Sequence, residues 1–311
     1  MATPLAILLF LASLALTLAA AAFFADKLDH IGPRLGLPEA IVGLLTAVAA
    51  DAPELSSAVV ALTRGQKEVS LGVVLGSNVF NLAAMIGLAA MLAGTVRIGR
   101  RALAVEGGVG VAATLVAGGL VVGMLPAWLA LILLAAIVAP YLAVLSRGST
   151  HHAPALTHVH EGALWKPGAL ILPAIGLIVL GSIGMVRSAT DLSDRWHISK
   201  AIVGILILAV LTSLPNAFTA IRLGLSGRGA ALVTETVGSN TINLVGGILL
   251  PALIVGLAGG SGLVDFNFVW LLGMTCVALL LLSRRVGIDR RGGALLIALY
   301  AIFVAVQLVY V

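Results

Sequence analysis

Charge is scarce in this sequence. Only 10% of its 311 residues are Asp, Glu, Lys or Arg, whereas 60% are hydrophobic. A typical soluble domain carries about 25% charged residues, so this chain cannot cover a water-facing surface over most of its length. The shortage excludes an ordinary soluble protein and predicts a polytopic membrane protein that is embedded in a lipid bilayer.

Cysteine is nearly absent as well. The single cysteine, Cys276, lies in an apolar run, and one cysteine excludes a disulfide framework. The net charge of +5 does not call for a nucleic acid partner, because the loops of a membrane protein account for the basic residues. The first apolar run, residues 5–24, has no basic residues before it. We therefore expect a first spanning helix there and not a cleaved signal peptide.

Ten apolar segments have the length expected of membrane helices. They are predicted at about residues 4–24, 38–62, 70–94, 102–122, 126–146, 167–186, 199–221, 230–257, 267–283 and 292–310. The loops after the odd-numbered segments hold 13 of the 18 Lys and Arg residues. Because cytoplasmic loops are enriched in these residues, both termini are expected outside. The sequence thus predicts a multi-pass protein of the plasma (inner) membrane.

The second half of the chain repeats motifs of the first. GSNVFNL at residues 76–82 returns as GSNTINL at residues 238–244, and a proline, Pro53 or Pro215, lies 23 residues before each motif. Each half holds five predicted segments, and an odd number forces the second copy to enter the membrane from the opposite face. We predict an all-α integral membrane fold of ten transmembrane helices, arranged as two inverted-topology five-helix repeats with broken central helices.

The predicted boundaries follow from this duplication. Residues 1–146 form the first repeat, residues 147–166 a cytoplasmic linker and residues 167–311 the second repeat. The linker contains His151, His152, His158 and His160, which could bind a transition metal or sense pH. With no ordered framework visible around them, a solvated linker is the favoured interpretation.

The central helices are expected to break at two kinds of position. Proline lacks an N–H group and clashes with a carbonyl one turn back, so Pro53 and Pro215 should interrupt their helices. Gly76 and Gly238 are expected to form turns. Interrupted helices of inverted repeats line substrate sites near the bilayer midplane, which predicts a polar cavity between the two repeats.

Two acids lie within the apolar second segment. In the stretch AADAPELSS, Asp51 and Glu54 are three residues apart and therefore share nearly one helix face. A carboxylate near the bilayer centre costs roughly 2.5–3.5 kcal/mol. Two like charges so close repel each other unless a cation or a proton lies between them. As an alternative, Asp51 pairs with a neighbouring amide and does not contact the ion.

The repeated motifs add only amide and hydroxyl groups to these acids. They are Ser77, Asn78 and Asn81 in segment 3, Thr212, Ser213 and Asn216 in segment 7, and Ser239, Asn240 and Asn243 in segment 8. An all-oxygen set with two carboxylates suits a hard cation such as Ca2+, whereas Na+ could use the neutral oxygens. Glu235, ahead of the second GSN motif, is interpreted as a helix-start carboxylate, with an ion-entry role as the alternative.

These blocks resemble the alpha-repeats of the sodium/calcium exchanger family, within the calcium/cation antiporter superfamily. The family pattern is close to G-[ST]-S-[LA]-P-E on helix 2 or 7, followed by GSNxxN/D on helix 3 or 8. The motif blocks cover about 80 residues, and the ten-segment map extends the resemblance over the whole chain. Larger relatives carry a regulatory domain in the central linker, for which this linker is too short, so the chain resembles the prokaryotic type.

The resemblance implies an antiporter that exchanges Ca2+ for Na+ by alternating access, without enzyme activity and without a cofactor. Its implied ion ligands are Glu54, Asn81, Thr212, Ser213, Ser239 and its counterpart Ser77, with backbone carbonyls near Ala47 and Ala209. Asp51, Asn216 and Asn243 complete the candidate metal site. The expected partners are inorganic cations and the lipid bilayer, and the oligomeric state stays open, a monomer included.

The sequence also departs from the family pattern. Asn216 stands where the family usually has an acid, Asn243 where some members have Asp, and Asp51 where a small hydroxyl residue is usual. Both site charges therefore lie in the first repeat. Because two acids on one helix face titrate as a coupled unit, a Ca2+/H+ (or other cation/H+) antiporter is the alternative. A passive cation channel or a transport-inactive scaffold is the alternative of another class.

Overall fold

The computed structural model describes residues 3–31, 45, 47–148, 170–255 and 262–309. Nearly all of these residues are helical. Apart from residues 147–148, the predicted linker with its four histidines lies outside the described residues. The same is true of residues 38–44, where the second predicted segment begins.

The described residues form ten helices, one in each predicted segment. They are α1 (Thr3–Ile31), α2 (Ala52–Thr63), α3 (Lys67–Asn81, a π-helical turn at Leu82–Leu88, and Ala89–Ala93), α4 (Arg100–Val121), α5 (Ala127–Gly148), α6 (Ile171–Trp196), α7 (Lys200–Ile202, a π-helical turn at Val203–Leu208, and Ala209–Leu225), α8 (Gly229–Leu244, a π-helical turn at Val245–Leu249, and Leu250–Val255), α9 (Gly262–Leu282) and α10 (Arg290–Val309).

Eight of the described helices are long and apolar enough to cross a membrane. The other two are described only in part: α2 has 12 residues after the undescribed start of its segment, and the apolar stretch described in α5 is Ala127–Pro140. A spanning helix needs about 20 predominantly apolar residues. The protein is therefore a multi-pass, almost entirely α-helical membrane protein, and ten spans stay a prediction.

Two short strands are a small exception to the all-α prediction. Strand β1 (Thr95–Val96) follows α3 and strand β2 (Ile288–Asp289) precedes α10. They pair antiparallel, with Thr95 opposite Asp289. Arg97 Nε also donates a hydrogen bond to the Val286 carbonyl at 3.1 Å. The loops that follow α3 and α9 therefore lie on the same face of the protein.

Glycine contacts set the packing at the centre. Helix α3 is deeply buried, and it crosses α7 where Gly72 faces Gly204. A Cβ atom on Gly72 would lie 2.8 Å from the Ala201 carbonyl oxygen, and one on Gly76 would collide with Ile205. Small residues four positions apart let two helix backbones approach closely in membrane proteins. Gly76 is therefore a packing residue.

Three of the predicted helix breaks were wrong. Helices α3 and α8 run without interruption through Gly76 and Gly238, and α7 runs through Pro215. A glycine that provides close packing need not bend its helix, and proline is tolerated in membrane helices where local adjustments and neighbours satisfy the freed backbone. In the second predicted segment, by contrast, Asp51 is a turn residue between helical residues 47–50 and α2. Pro53 lies in the first turn of α2, where a missing N–H is harmless.

Each copy of the repeated motif is followed by the same backbone irregularity. A π-helical turn at Leu82–Leu88 follows Asn81, and another at Val245–Leu249 follows Leu244. Turns of this kind are rare and often lie at functional sites. The two motif copies thus share a local backbone geometry that the sequence pattern did not predict.

Candidate cation-binding site

The two acids of the second predicted segment are buried in the protein interior. Asp51 and Glu54 are 1% and 0% exposed, and they flank Pro53 at the start of α2. Within the described residues, neither acid has a Lys, Arg or His partner in an ion pair. Buried charges are normally paired or bound to metal ions, so the site needs a positive charge that the described side chains do not supply.

Helices α7 and α8 supply the hydrogen bonds that the acids do have. Ser213 Oγ donates to Glu54 Oε1 at 2.8 Å, and Asn216 Nδ2 donates to Asp51 Oδ1 at 2.7 Å. Ser239 Oγ donates to the same Asp51 oxygen at 2.6 Å. The structure therefore brings together predicted site residues from three helices that are far apart in sequence.

The two GSN motifs are joined by reciprocal hydrogen bonds. Asn78 Nδ2 donates to the Asn240 carbonyl at 3.0 Å, and Asn240 Nδ2 donates to the Asn78 carbonyl at 3.0 Å. We call this pair the asparagine clamp. The predicted ligand set did not include it, although both residues are the third letter of GSN in their copy, and that shared position was the available signal.

Two further asparagines lie beside the clamp. Asn81 Nδ2 donates to Asn240 Oδ1 at 3.0 Å and to Ser239 Oγ at 3.2 Å. Asn243 Nδ2 donates to Asn78 Oδ1 at 3.3 Å and to Ser77 Oγ at 3.5 Å. Both amides thus direct their N–H groups at the opposite helix, which leaves their carbonyl oxygens available.

Nearly all of these contacts occur twice, at corresponding positions. Asn78 and Asn240 are 162 residues apart, and the same offset relates Asn81 to Asn243. With this offset, Asp51 corresponds to Ser213 and Glu54 to Asn216. The contact between Ser213 and Glu54 therefore corresponds to the contact between Asp51 and Asn216. The exception is the hydrogen bond from Ser239 to Asp51, because the serine that corresponds to Ser239 donates within its own helix.

Four buried oxygen atoms of the predicted site residues have no hydrogen-bond partner among the described residues. They are Asp51 Oδ2, Glu54 Oε2, Asn81 Oδ1 and Asn243 Oδ1. Unpaired buried polar atoms are uncommon, and a bound ion is one accepted explanation for them. All four are acceptors, and carboxylate and amide oxygens are the ligands that hard cations such as Ca2+ prefer. These four oxygen ligands therefore fit such a cation as a transported substrate.

The other predicted site residues make local contacts, with Thr212 and Ala209 buried and Ala47 partly buried. Thr212 Oγ1 donates to the carbonyls of Leu208 and Ala209, at 2.9 and 3.3 Å. The Ala47 carbonyl accepts the Asp51 amide at 2.9 Å. Among the described residues, no hydrogen bond joins Thr212, Ala209 or the Ala47 carbonyl to a side chain of the opposite repeat. In the described part of the chain, no group of three or more His, Cys, Asp or Glu side chains could hold a metal ion, so neutral oxygens would have to complete the shell.

Known proteins resemble this chain over most of its length. The family model "Sodium/calcium exchanger protein" matches residues 5–146 and 166–309. The inner membrane protein YrbG of Escherichia coli K12 is 29% identical over 233 residues, which is 70% of each chain. The putative antiporter CaxA of Alkalimonas amylolytica is 26% identical over 282 residues, which is 85% of each chain.

A solved structure has the same fold. The sodium-calcium exchanger NCX_Mj, in a form soaked with Na+ and Sr2+, superimposes with a TM-score of 0.66 at 19% identity. The match covers 97% of this chain and 99% of that one. Because the family model covers most of its residues, this chain belongs to the sodium/calcium exchanger protein family.

Proposed function

We propose that this protein is a secondary-active antiporter that exchanges Ca2+ for Na+ across the plasma (inner) membrane by alternating access. The observation that carries the proposal is the set of four unpartnered acceptor oxygens buried between the two motif copies. Two of them belong to carboxylates, so the set offers the two negative charges that neutralise one divalent cation. Membership of the exchanger family supports cation antiport.

The proposed ligands fall into three groups. Asp51, Glu54, Asn81 and Asn243 bind the ion through the oxygens that have no other partner. Hydroxyl and amide groups of Ser77, Thr212, Ser213, Asn216 and Ser239 complete or orient the shell, together with the carbonyls of Ala47 and Ala209. For Asp51, the hydrogen bond from Asn216 is the amide contact of the alternative interpretation, whereas the second carboxylate oxygen, which has no partner, supports the role of ion ligand.

The proposed architecture is the pair of inverted repeats, residues 1–146 and 167–311, joined by the linker 147–166. The paired hydrogen bonds at corresponding positions support it. The loops after α3, α7 and α9 also lie together, because the loops after α3 and α9 share the small sheet and Gly229, which follows the loop after α7, approaches Arg97. Arg64, after α2, lines one cavity of about 400 Å³ with Arg187 and Asp194 at the end of α6. This two-sided arrangement supports ten spans, and the excess of Lys and Arg in the loops after the odd-numbered segments favours both termini outside.

Proton coupling is the second candidate. Asp51 and Glu54 lie on one helix, each has a free carboxylate oxygen, and α7 has no acid at Asn216 to share the charge. Two neighbouring acids that are empty of metal can hold a proton in its place. This arrangement favours H+ over Na+ as the counter-ion only if the neutral oxygens fail to bind Na+.

The test is uptake of radioactive Ca2+ into proteoliposomes that contain the purified protein. We expect uptake when an outward Na+ gradient is imposed, and none in protein-free liposomes. Uptake with an imposed pH gradient and no Na+ would replace Na+ by H+ as the counter-ion. Uptake that neither gradient can drive uphill would identify a passive channel, and no uptake under any condition would overturn Ca2+ transport.

A further inference from the structure

Glu235 is a carboxylate of α8 that the proposed site does not use. Because α8 begins at Gly229, Glu235 lies in its second turn and not at its start. The favourable effect of a helix dipole is confined to the first turn. The interpretation of Glu235 as a helix-start carboxylate therefore does not account for its position.

The environment of Glu235 does not neutralise it. The residue is half-buried, and its Oε2 atom is buried without a hydrogen-bond partner. Within the described residues, Glu235 forms no ion pair. An acid inside a membrane protein is expensive to keep and usually serves an ion pathway.

The helix geometry places Glu235 next to the proposed cation site. Glu235 and Ser239 are four residues apart in one helix, so they lie on the same face about 6 Å apart along the axis. Ser239 Oγ donates to Asp51 Oδ1 at 2.6 Å and accepts from Asn81 Nδ2 at 3.2 Å. Glu235 therefore lies one helical turn from the site, on the side where α8 begins.

The other repeat has no acid at the corresponding position. The offset of 162 residues between the copies pairs Glu235 with Val73, which is 0% exposed. If the repeats are inverted, α3 and α8 approach the site from opposite faces of the membrane. Only the approach along α8 then has a carboxylate one turn before the GSN motif.

We propose that Glu235 is the entry residue for the transported divalent cation on the face where α8 begins. It attracts the partly hydrated ion and holds it briefly before the ion reaches Asp51 and Glu54. The proposal rests on the proposed cation antiport and adds to it a residue that acts from one face only. A carboxylate at the mouth of a cleft raises the local concentration of cations there and thereby their rate of entry.

The test compares Ca2+ affinity at the two faces of the membrane in Glu235→Gln. Wild type and variant are reconstituted into liposomes, both in a Cys276→Ser background that carries Ser226→Cys. A maleimide that cannot cross the membrane labels Ser226→Cys only where it faces outwards, and the labelled fraction gives the orientation of the protein. We expect the KM for Ca2+ at the face where α8 begins to rise roughly tenfold. The KM at the other face and the maximal rate should stay within about twofold, since the binding site itself is intact.

Two matched variants complete the experiment. Glu235→Asp keeps the charge and should keep the low KM at that face. Glu68→Gln removes an exposed carboxylate from the first turn of α3 and should leave the KM at the face where α8 begins unchanged.

Several results would overturn the proposal. An equal change of KM at both faces, a loss of maximal rate without a change of KM, or no change in Glu235→Gln would each do so. These failures leave wild-type exchange intact, whereas failure of the proposed function would appear as a wild-type protein that does not transport Ca2+ at all.

Discussion

Helices α2 and α7 face each other across the proposed site with opposite chemistry. Two carboxylates lie at the start of α2, Asp51 just before the helix and Glu54 in its first turn. From α7 come two neutral donors, Ser213 and Asn216. Each acid accepts one hydrogen bond from an α7 side chain, at 2.7 or 2.8 Å. The two copies of one motif have thus kept their contacts while all of the charge lies in one of them.

The contacts survive because donor and acceptor have changed places between the copies. Glu54 follows Pro53 directly, and its donor Ser213 lies two residues before Pro215. In the corresponding contact, the donor Asn216 follows Pro215 and the acid Asp51 lies two residues before Pro53. The carboxylate can lie after the proline or two residues before it, as long as the contacting position of the other copy holds a hydrogen-bond donor. The number of charges at such a site can therefore be maintained while their location shifts.

The largest effect is expected from the loss of Glu54, the acid that follows Pro53. Glu54→Gln keeps the shape but removes a charge from the proposed shell, and the amide cannot neutralise a divalent ion. We expect gradient-driven Ca2+ uptake to fall by more than about 100-fold, which exceeds the usual effect of losing a residue that only orients a ligand. Proteoliposome uptake measures it, with the exposed Glu68→Gln as control. Uptake within threefold of wild type would remove Glu54 from the site.

Moving the charge of Asp51 from the start of α2 to α7 sharpens the comparison. Asp51→Ser alone removes one of two charged groups and should lower uptake by at least about tenfold, as expected for the loss of an interaction with a charged group. Adding Asn216→Glu recreates in this pair the serine–glutamate contact that Ser213 and Glu54 already make. We expect the double variant to recover most of the uptake.

The same pair of variants also has a clear negative result. If the double variant is no more active than Asp51→Ser, while both proteins elute as single species in detergent, the location of the charge matters and not only its number. Uptake of the single variant at the wild-type level would instead show that Asp51 is not required for Ca2+ binding.

The smallest expected effect concerns the asparagine clamp, where the two copies are alike. Asn78→Ala and Asn240→Ala each remove one side-chain donor to the opposite carbonyl and one acceptor of a neighbouring asparagine amide, a loss of buried hydrogen bonds that costs about 1–3 kcal/mol of unfolding free energy. We expect similar losses of thermal stability from the two variants, because their contacts correspond. Thermal unfolding in detergent measures this, with the exposed Ser226→Ala as control. A loss in only one variant would contradict the equivalence of the two copies.

Much of the fold was predictable because membrane helices leave a local signal. About 20 apolar residues in a row mark a helix wherever its neighbours lie, and each of the ten predicted segments contains a helix. Breaks were harder to predict. Gly76 provides close packing against Ile205, and a glycine needed for packing looks the same in a sequence as a glycine needed for a turn.

The sequence by itself determined the membrane class, the duplicated motifs and the presence of Asp51 and Glu54 among apolar residues, since composition, spacing and residue identity are properties of the chain alone. Only the tertiary structure decided which polar groups meet. The clamp between Asn78 and Asn240 and the free oxygens of Asn81 and Asn243 depend on α3 and α8 lying side by side. Partners 162 residues apart are brought together by helix packing, and no local pattern of residues encodes that distance.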